Sequence, residues 1–197
     1  MNRSRFQARL STIPFFCATV ALGSAVGCGS STSSASVAKT DVPVGAAAVE
    51  AWLAVGSYKQ WKCEGAVHAS RDPSPHGFNR ICSNSEISAN AGGTAAWPVG
   101  AAAVKELYAS LDATVPVGYA VYAKTNADSA AGANWYWYER VPLDSTAPHN
   151  AAGVVADGMG NSGTPNSICV GCHNAAGLDA PHTPSVGGRD QVYTPVK

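Results

Sequence analysis

Cys169, Cys172 and His173 stand in the order Cys-x-x-Cys-His within "SICVGCHNAA", residues 167–176. Two thiols three residues apart can add to the two vinyl groups of one haem, and the adjacent histidine reaches the iron from the same turn. The run is therefore read as a c-type haem site, with Cys169 and Cys172 as the thioether anchors and His173 as the proximal iron ligand. Two other chemistries use paired cysteines. A thioredoxin-like redox pair sits in a βαβ context, whereas "GMGNSGTPNS" ahead of this pair reads as a loop. A structural zinc site needs four ligands, and the chain has no second Cys-x-x-Cys or paired histidines to supply the others.

What such a haem does depends on the other side of the iron. An electron carrier closes the sixth position with a methionine or histidine. Met159, in the glycine-rich "ADGMGNSG", is the one methionine besides Met1, and His68, His76, His149 and His182 are the remaining histidines. The glycines around Met159 offer nothing rigid to hold a thioether on iron, and His76 sits in a turn-like stretch. The ordinary role of each histidine is at the surface or in a hydrogen bond, so the sixth position is expected to be open, with Met159 or His76 as the ligand in the alternative case. Phe78, Arg80, Trp97 and the aromatic run 135–138 are candidates to line the distal pocket; the competing role for such aromatics is core packing. A distal arginine or carboxylate there would assist proton transfer.

Covalent haem and disulfides both suit an oxidising envelope compartment, and the start of the 197-residue chain reads as export. Arg3, Arg5 and Arg9, with no acid nearby, precede the short apolar run "STIPFFCATVALGSAVGC", interrupted by Pro14. That is a secretory signal rather than a membrane span, which needs about 20 apolar residues. "AVGC" resembles a lipobox, so residues 1–27 are expected to be removed and Cys28 to carry the lipid, facing the periplasm from a bacterial envelope membrane; ordinary cleavage nearby is the alternative. Residues 28–43 are a Ser-rich tether and 44–197 the folded domain. Loss of three arginines leaves ten cations against thirteen carboxylates, net −3, which excludes a basic nucleic-acid surface.

With Cys17 in the signal and Cys28, Cys169 and Cys172 assigned, Cys63 and Cys82 remain. Their pairing would contribute about 3 kcal/mol; two free thiols is the other reading. The elements around them read as strands. "GYAVYAKT" and "NWYWYERV" alternate strictly, the latter with Trp135, Trp137 and Glu139 opposed to Tyr136, Tyr138 and Arg140. "AVHAS" and "FNRICSN" read as a hairpin around a Pro-rich loop, and 44–61 as an amphipathic helix burying Val49, Trp52 and Leu53. "AAAVKELYASL" fits helix or strand; as a strand it sets Lys105 with Leu107, opposite Val104, Glu106 and Tyr108. The tail reads as irregular chain over the surface. The expected fold is α+β: one domain, mainly antiparallel sheet with a few helices.

The order "AWLAVGSYKQW", "SPHGFNRICSN", "WPVGAAAVKELY", "YAVYAKT", "NWYWYERV" and "CVGCH", spanning about residues 48–176, resembles the cytochrome P-460 family and its relative cytochrome c′-beta. The resemblance implies an antiparallel β-sheet domain, usually a homodimer, with one covalent haem c whose distal face is open. It implies binding of nitric oxide or carbon monoxide and, in the P-460 proteins proper, oxidation of hydroxylamine with the help of a lysine–haem bond. Lys105, in the family-like "VKE", is the candidate for that bond, against an ordinary lysine paired with Glu106 or Glu139. The expected function is an exported monohaem cytochrome that binds nitric oxide or related nitrogen species, with oxidation of hydroxylamine or nitric oxide as its candidate reaction. An electron-transfer cytochrome c and a non-catalytic gas-binding haem protein are the alternatives.

Overall fold

Strict alternation along the central strands gives the sheet two different faces, and those faces organise everything else. The structure, a computed structural model, describes residues 42–72, 74–127, 132–178 and 187–197. The signal segment, Cys28, nearly all of the tether, and His182 lie outside the described residues. The described residues belong to one compact unit.

Seven strands form one antiparallel sheet: β1 (Lys62–Cys63), β2 (His68–Ala69), β3 (Phe78–Ser83), β4 (Ala102–Tyr108), β5 (Gly118–Lys124), β6 (Trp135–Arg140) and β7 (Val154–Met159). The order is β1-β3-β4-β5-β6-β7, with β2 also on β3. The hairpin around the Pro-rich loop forms as expected: His68 pairs with Asn79, Cys63 stands opposite Cys82, and the two cysteines are joined. The ambiguous segment is a strand, because β4 lies between β3 and β5 and its alanines are wholly buried; tertiary context overrides their helix preference.

One face packs under α1 (Ala46–Val55), where Val49 and Leu53 meet Val104, Val121, Tyr136 and Tyr138. Each of those aliphatic side chains contributes about 1.5–3 kcal/mol by leaving water. The first turn of α1 is held by Asp157 of β7, which accepts from the Ala46 N–H at 2.9 Å and from the Tyr136 hydroxyl at 2.6 Å. Gly56, at φ 76°, ends the helix in the left-handed region that glycine adopts without strain. The opposite face carries Ile81, Ala103, Tyr122, Trp135 and Trp137.

Two expectations are corrected. "GMGNSGTPNS" is not a loop throughout. It begins in β7, which alternation did not reveal, and ends in a helical segment; only 160–164 connect them. That segment is a wide π-type turn, Pro165–Val170, running directly into α3 (Gly171–His173). The end of the tail packs inward instead of lying on the surface: Arg189, Gln191 and Val192 are buried.

Candidate functional site

Residues four or three apart on a helical turn share one face, so the segment running through α3 presents Cys169, Cys172 and His173 together. They line one side of a cleft whose empty volume, counted out to open solvent, is ≈ 960 Å³. Its floor is the sheet. Directly opposed residues in antiparallel strands share a face, so pairing of Ile81 with Lys105, Lys105 with Ala120 and Ala120 with Glu139 makes one row across β3–β6. The small side chain of Ala120 leaves room between Lys105 and Glu139. Ala103, Tyr122 and Trp137 form the neighbouring row.

The His173 ring is fixed on several sides. Trp137, Tyr193 and Tyr122 meet it edge-on, with centroids 4.7, 5.3 and 5.7 Å away. Its Nδ1 lies 2.6 Å from the carbonyl oxygen of Gln191. A carbonyl only accepts, so Nδ1 carries the proton and Nε2 keeps its lone pair. Burial, reinforced by the charge of Lys105, pushes the imidazole down to about 3, so it is neutral at physiological pH. Burial also pushes the Cys169 thiol up to about 12, the opposite of the low-pKa thiolate a redox pair uses. Neither Cys169 nor Cys172 is in a disulfide.

The Gln191 carbonyl belongs to a two-residue turn closed by reciprocal backbone hydrogen bonds between Arg189 and Val192. Both central residues have positive φ, 43° at Asp190 and 72° at Gln191. Such turns favour Gly or Asn, and each non-glycine residue there costs about 1–2 kcal/mol.

Lys105, Ser74, His76, Glu139 and Arg71 also line the cleft. Burial pushes Lys105 down to about 8, and its nearest hydrogen-bonding partner among the described residues is Ser74 Oγ at 3.4 Å. His76 places Nδ1 3.2 Å from Glu139 Oε1; burial and the charge of Lys105 lower its pKa despite that carboxylate. At the rim, Glu64 accepts from Arg71 at 2.5 Å, His68 at 2.8 Å and the Ile81 N–H at 2.8 Å. Burial would raise its pKa, but these donors together hold it below the usual carboxylate range.

Several expected site residues lie elsewhere. Phe78 and Arg80 pair with Tyr108 and Glu106, so they point to the α1 face, and the side chains of β3 that reach the cleft are Asn79 and Ile81. Arg80 is bound to Glu106 at 2.7 Å. Trp97 is buried behind the cleft, donating Nε1–H to the Arg189 carbonyl at 3.0 Å. Met159 pairs with Tyr136 and packs on the α1 side, which removes it as a sixth ligand for this cleft. Glu106, offered as a partner for Lys105, also faces α1 and is taken by Tyr58, Tyr108 and Arg80. Sequence reasoning missed Ser74, Gln191 and Tyr193, which carry no motif.

The donor set fits a haem attached through Cys169 and Cys172. Two thiols outside any disulfide and a neutral imidazole with a fixed lone pair share one wall, and the adjoining rings of Tyr122, Trp137 and Tyr193 suit a flat apolar macrocycle. Among the described residues, no three His, Cys, Asp or Glu side chains converge as a metal cage requires. The chain matches no protein-family model, and a comparison with curated proteins finds no significant relative.

Proposed function

We propose that this chain is an exported, lipid-anchored monohaem c-type cytochrome that binds nitric oxide or related nitrogen species, with hydroxylamine or nitric oxide oxidation as its candidate reaction. The observation that carries the proposal is the wall itself. Cys169, Cys172 and His173, whose Nε2 keeps its lone pair, line one cleft together with Lys105, His76 and Glu139. A haem held there supplies an iron that binds small nitrogen species and exchanges electrons.

The chain's own residues set the conditions around that iron. His173, donating to the Gln191 carbonyl, gains electron density and keeps one orientation. Neutral His76 donates Nδ1–H to Glu139, an arrangement suited to passing a proton to or from a ligand in the cleft. The pKa of about 8 leaves Lys105 with roughly a tenth of its amine neutral at pH 7, against a few parts in ten thousand for an ordinary lysine. That supports Lys105 as the candidate for a lysine–haem bond, whose presence or absence would distinguish an enzyme from a gas binder. His76 also keeps a second reading in play, an electron-transfer cytochrome with His76 on the iron, because it lies in the cleft.

Production with haem-attachment machinery tests the proposal. The Cys169–Cys172 peptide is expected to carry one haem mass, and C169A/C172A to carry none. A wild-type peptide without haem contradicts the assignment, as does haem still joined in C169A/C172A to any residue other than Lys105. A haem mass bridging this peptide to the Lys105 peptide supports the enzyme; its absence leaves gas binding.

A further inference from the structure

The turn at Asp190 and Gln191 is the strained feature of the cleft's surroundings, and its carbonyl faces the histidine. Two successive non-glycine residues at positive φ persist only where surrounding contacts hold them. The contacts here converge on Asp190. Its Oδ2 accepts from Lys124 Nζ at 2.7 Å and from the Trp97 N–H at 3.1 Å, and its Oδ1 lies 3.4 Å from Trp135 Nε1. Lys124 is fully buried, at 0 % side-chain exposure. Flanking residues are also pinned. Arg189 donates to the carbonyls of Ala95 and Asn90 at 2.5 and 2.8 Å and stacks 3.4 Å over Trp97. Gln191 Nε2 donates to Asn174 Oδ1 at 2.6 Å, beside His173 itself.

A buried ion pair is weak support for stability, because desolvation offsets much of its attraction. A neutral turn with Asn-Gly would close this hairpin with less strain. The pair's distinguishing property is position: it lies one residue from the carbonyl that accepts the hydrogen bond of His173 Nδ1–H.

We propose that Lys124 and Asp190 are positioning residues for the proximal histidine: the buried pair holds the strained turn so that the Gln191 carbonyl accepts from His173 Nδ1 along a fixed line. This rests on the reading of the cleft as a haem site. Donation from Nδ1 makes the imidazole a stronger donor to iron and favours the oxidised metal. Weakening it has two signatures that loss of packing alone does not produce together. The iron–histidine stretching frequency of the ferrous protein falls, and the midpoint potential rises.

The test uses the holoprotein with Lys124→Met, Lys124→Arg and Asp190→Asn. Asn is at home at positive φ and keeps an acceptor for the Trp97 N–H, so D190N leaves the backbone conformation accessible while removing the carboxylate charge that pairs with Lys124 and holds the turn on its line. K124M and D190N are expected to lower the stretching frequency and raise the potential, with K124R recovering most of both. Unchanged frequency and potential in K124M and D190N overturn the proposal. Loss of haem attachment in both also overturns it, since the pair would then determine folding and not tune the ligand. If the wild-type chain takes up no haem, the reading of the cleft fails separately, and the positioning role is read in the full-length chain by NMR. Slow solvent exchange of the His173 Nδ1 proton that becomes fast in K124M supports it, and equal exchange overturns it.

Discussion

The two faces of the sheet satisfy their polar groups to different degrees. Under α1, each carboxylate is satisfied by tyrosines and basic or backbone donors. Glu106 takes the hydroxyls of Tyr58 and Tyr108, each at 2.7 Å, and Arg80; Glu50 takes Tyr138 and Arg140; Asp157 takes Tyr136 and the start of α1. On the cleft face, Lys124 is paired with Asp190 and Glu139 with His76, but Lys105 has one long hydrogen bond, and Trp137 Nε1 and, beside it, Gln191 Oε1 are buried without a partner among the described residues. A buried polar group left unsatisfied costs about 1–3 kcal/mol. The same strands therefore satisfy every carboxylate on one face and leave Lys105 and the Trp137 indole short of partners on the other, where a ligand can complete them.

The largest effect that separates the faces is expected at Glu106. Glu106→Ala strands three partners beside a side chain that is 1 % exposed. Loss of about 3–5 kcal/mol is expected in urea unfolding, with haem attachment intact wherever the variant is folded. Wild-type stability in E106A, or a selective loss of haem, breaks the division between the faces.

Lys105→Met is the counterpart on the cleft face and has the opposite sign. Folding lowers this lysine's pKa from 10.5 to about 8. Below pH 8 both states are protonated, and the folded state carries a buried ammonium that weakens it. Between pH 8 and 10.5 the unfolded chain binds more protons, so wild-type stability rises with pH. In the haem-free chain, K105M is expected to be more stable than wild type by roughly 1–3 kcal/mol below pH 8. The advantage fades as pH rises towards 10.5. A variant less stable at neutral pH would place Lys105 among the structural residues.

Much of this division can be read from residue order. The alternation of Trp135, Trp137 and Glu139 against Tyr136, Tyr138 and Arg140 assigns β6 to its two faces, and the same reasoning puts Lys105 opposite Glu106 on β4. What alternation does not give is how a strand's faces relate to the whole sheet. Phe78 and Arg80 were expected in the pocket, but β3 pairs so that Asn79 and Ile81 face it; one residue of register exchanges the two sets. β7 stayed hidden because Asp157 and Gly158 break its apolar pattern, although Asp157 serves α1. The turn at Asp190 lacks the Gly or Asn that marks such turns, since side-chain contacts from Lys124 and Trp97 hold it instead. Those contacts span 66 and 93 residues of sequence, beyond the reach of local pattern.

The proposed haem with an open distal side is tested most directly by the visible spectrum of the dithionite-reduced protein before and after carbon monoxide. A high-spin ferrous spectrum that converts fully to a carbonyl form is expected, since Met159 lies on the other face and His76 is held by Glu139. A low-spin ferrous spectrum that carbon monoxide leaves unchanged would contradict it and assign the sixth position to His76.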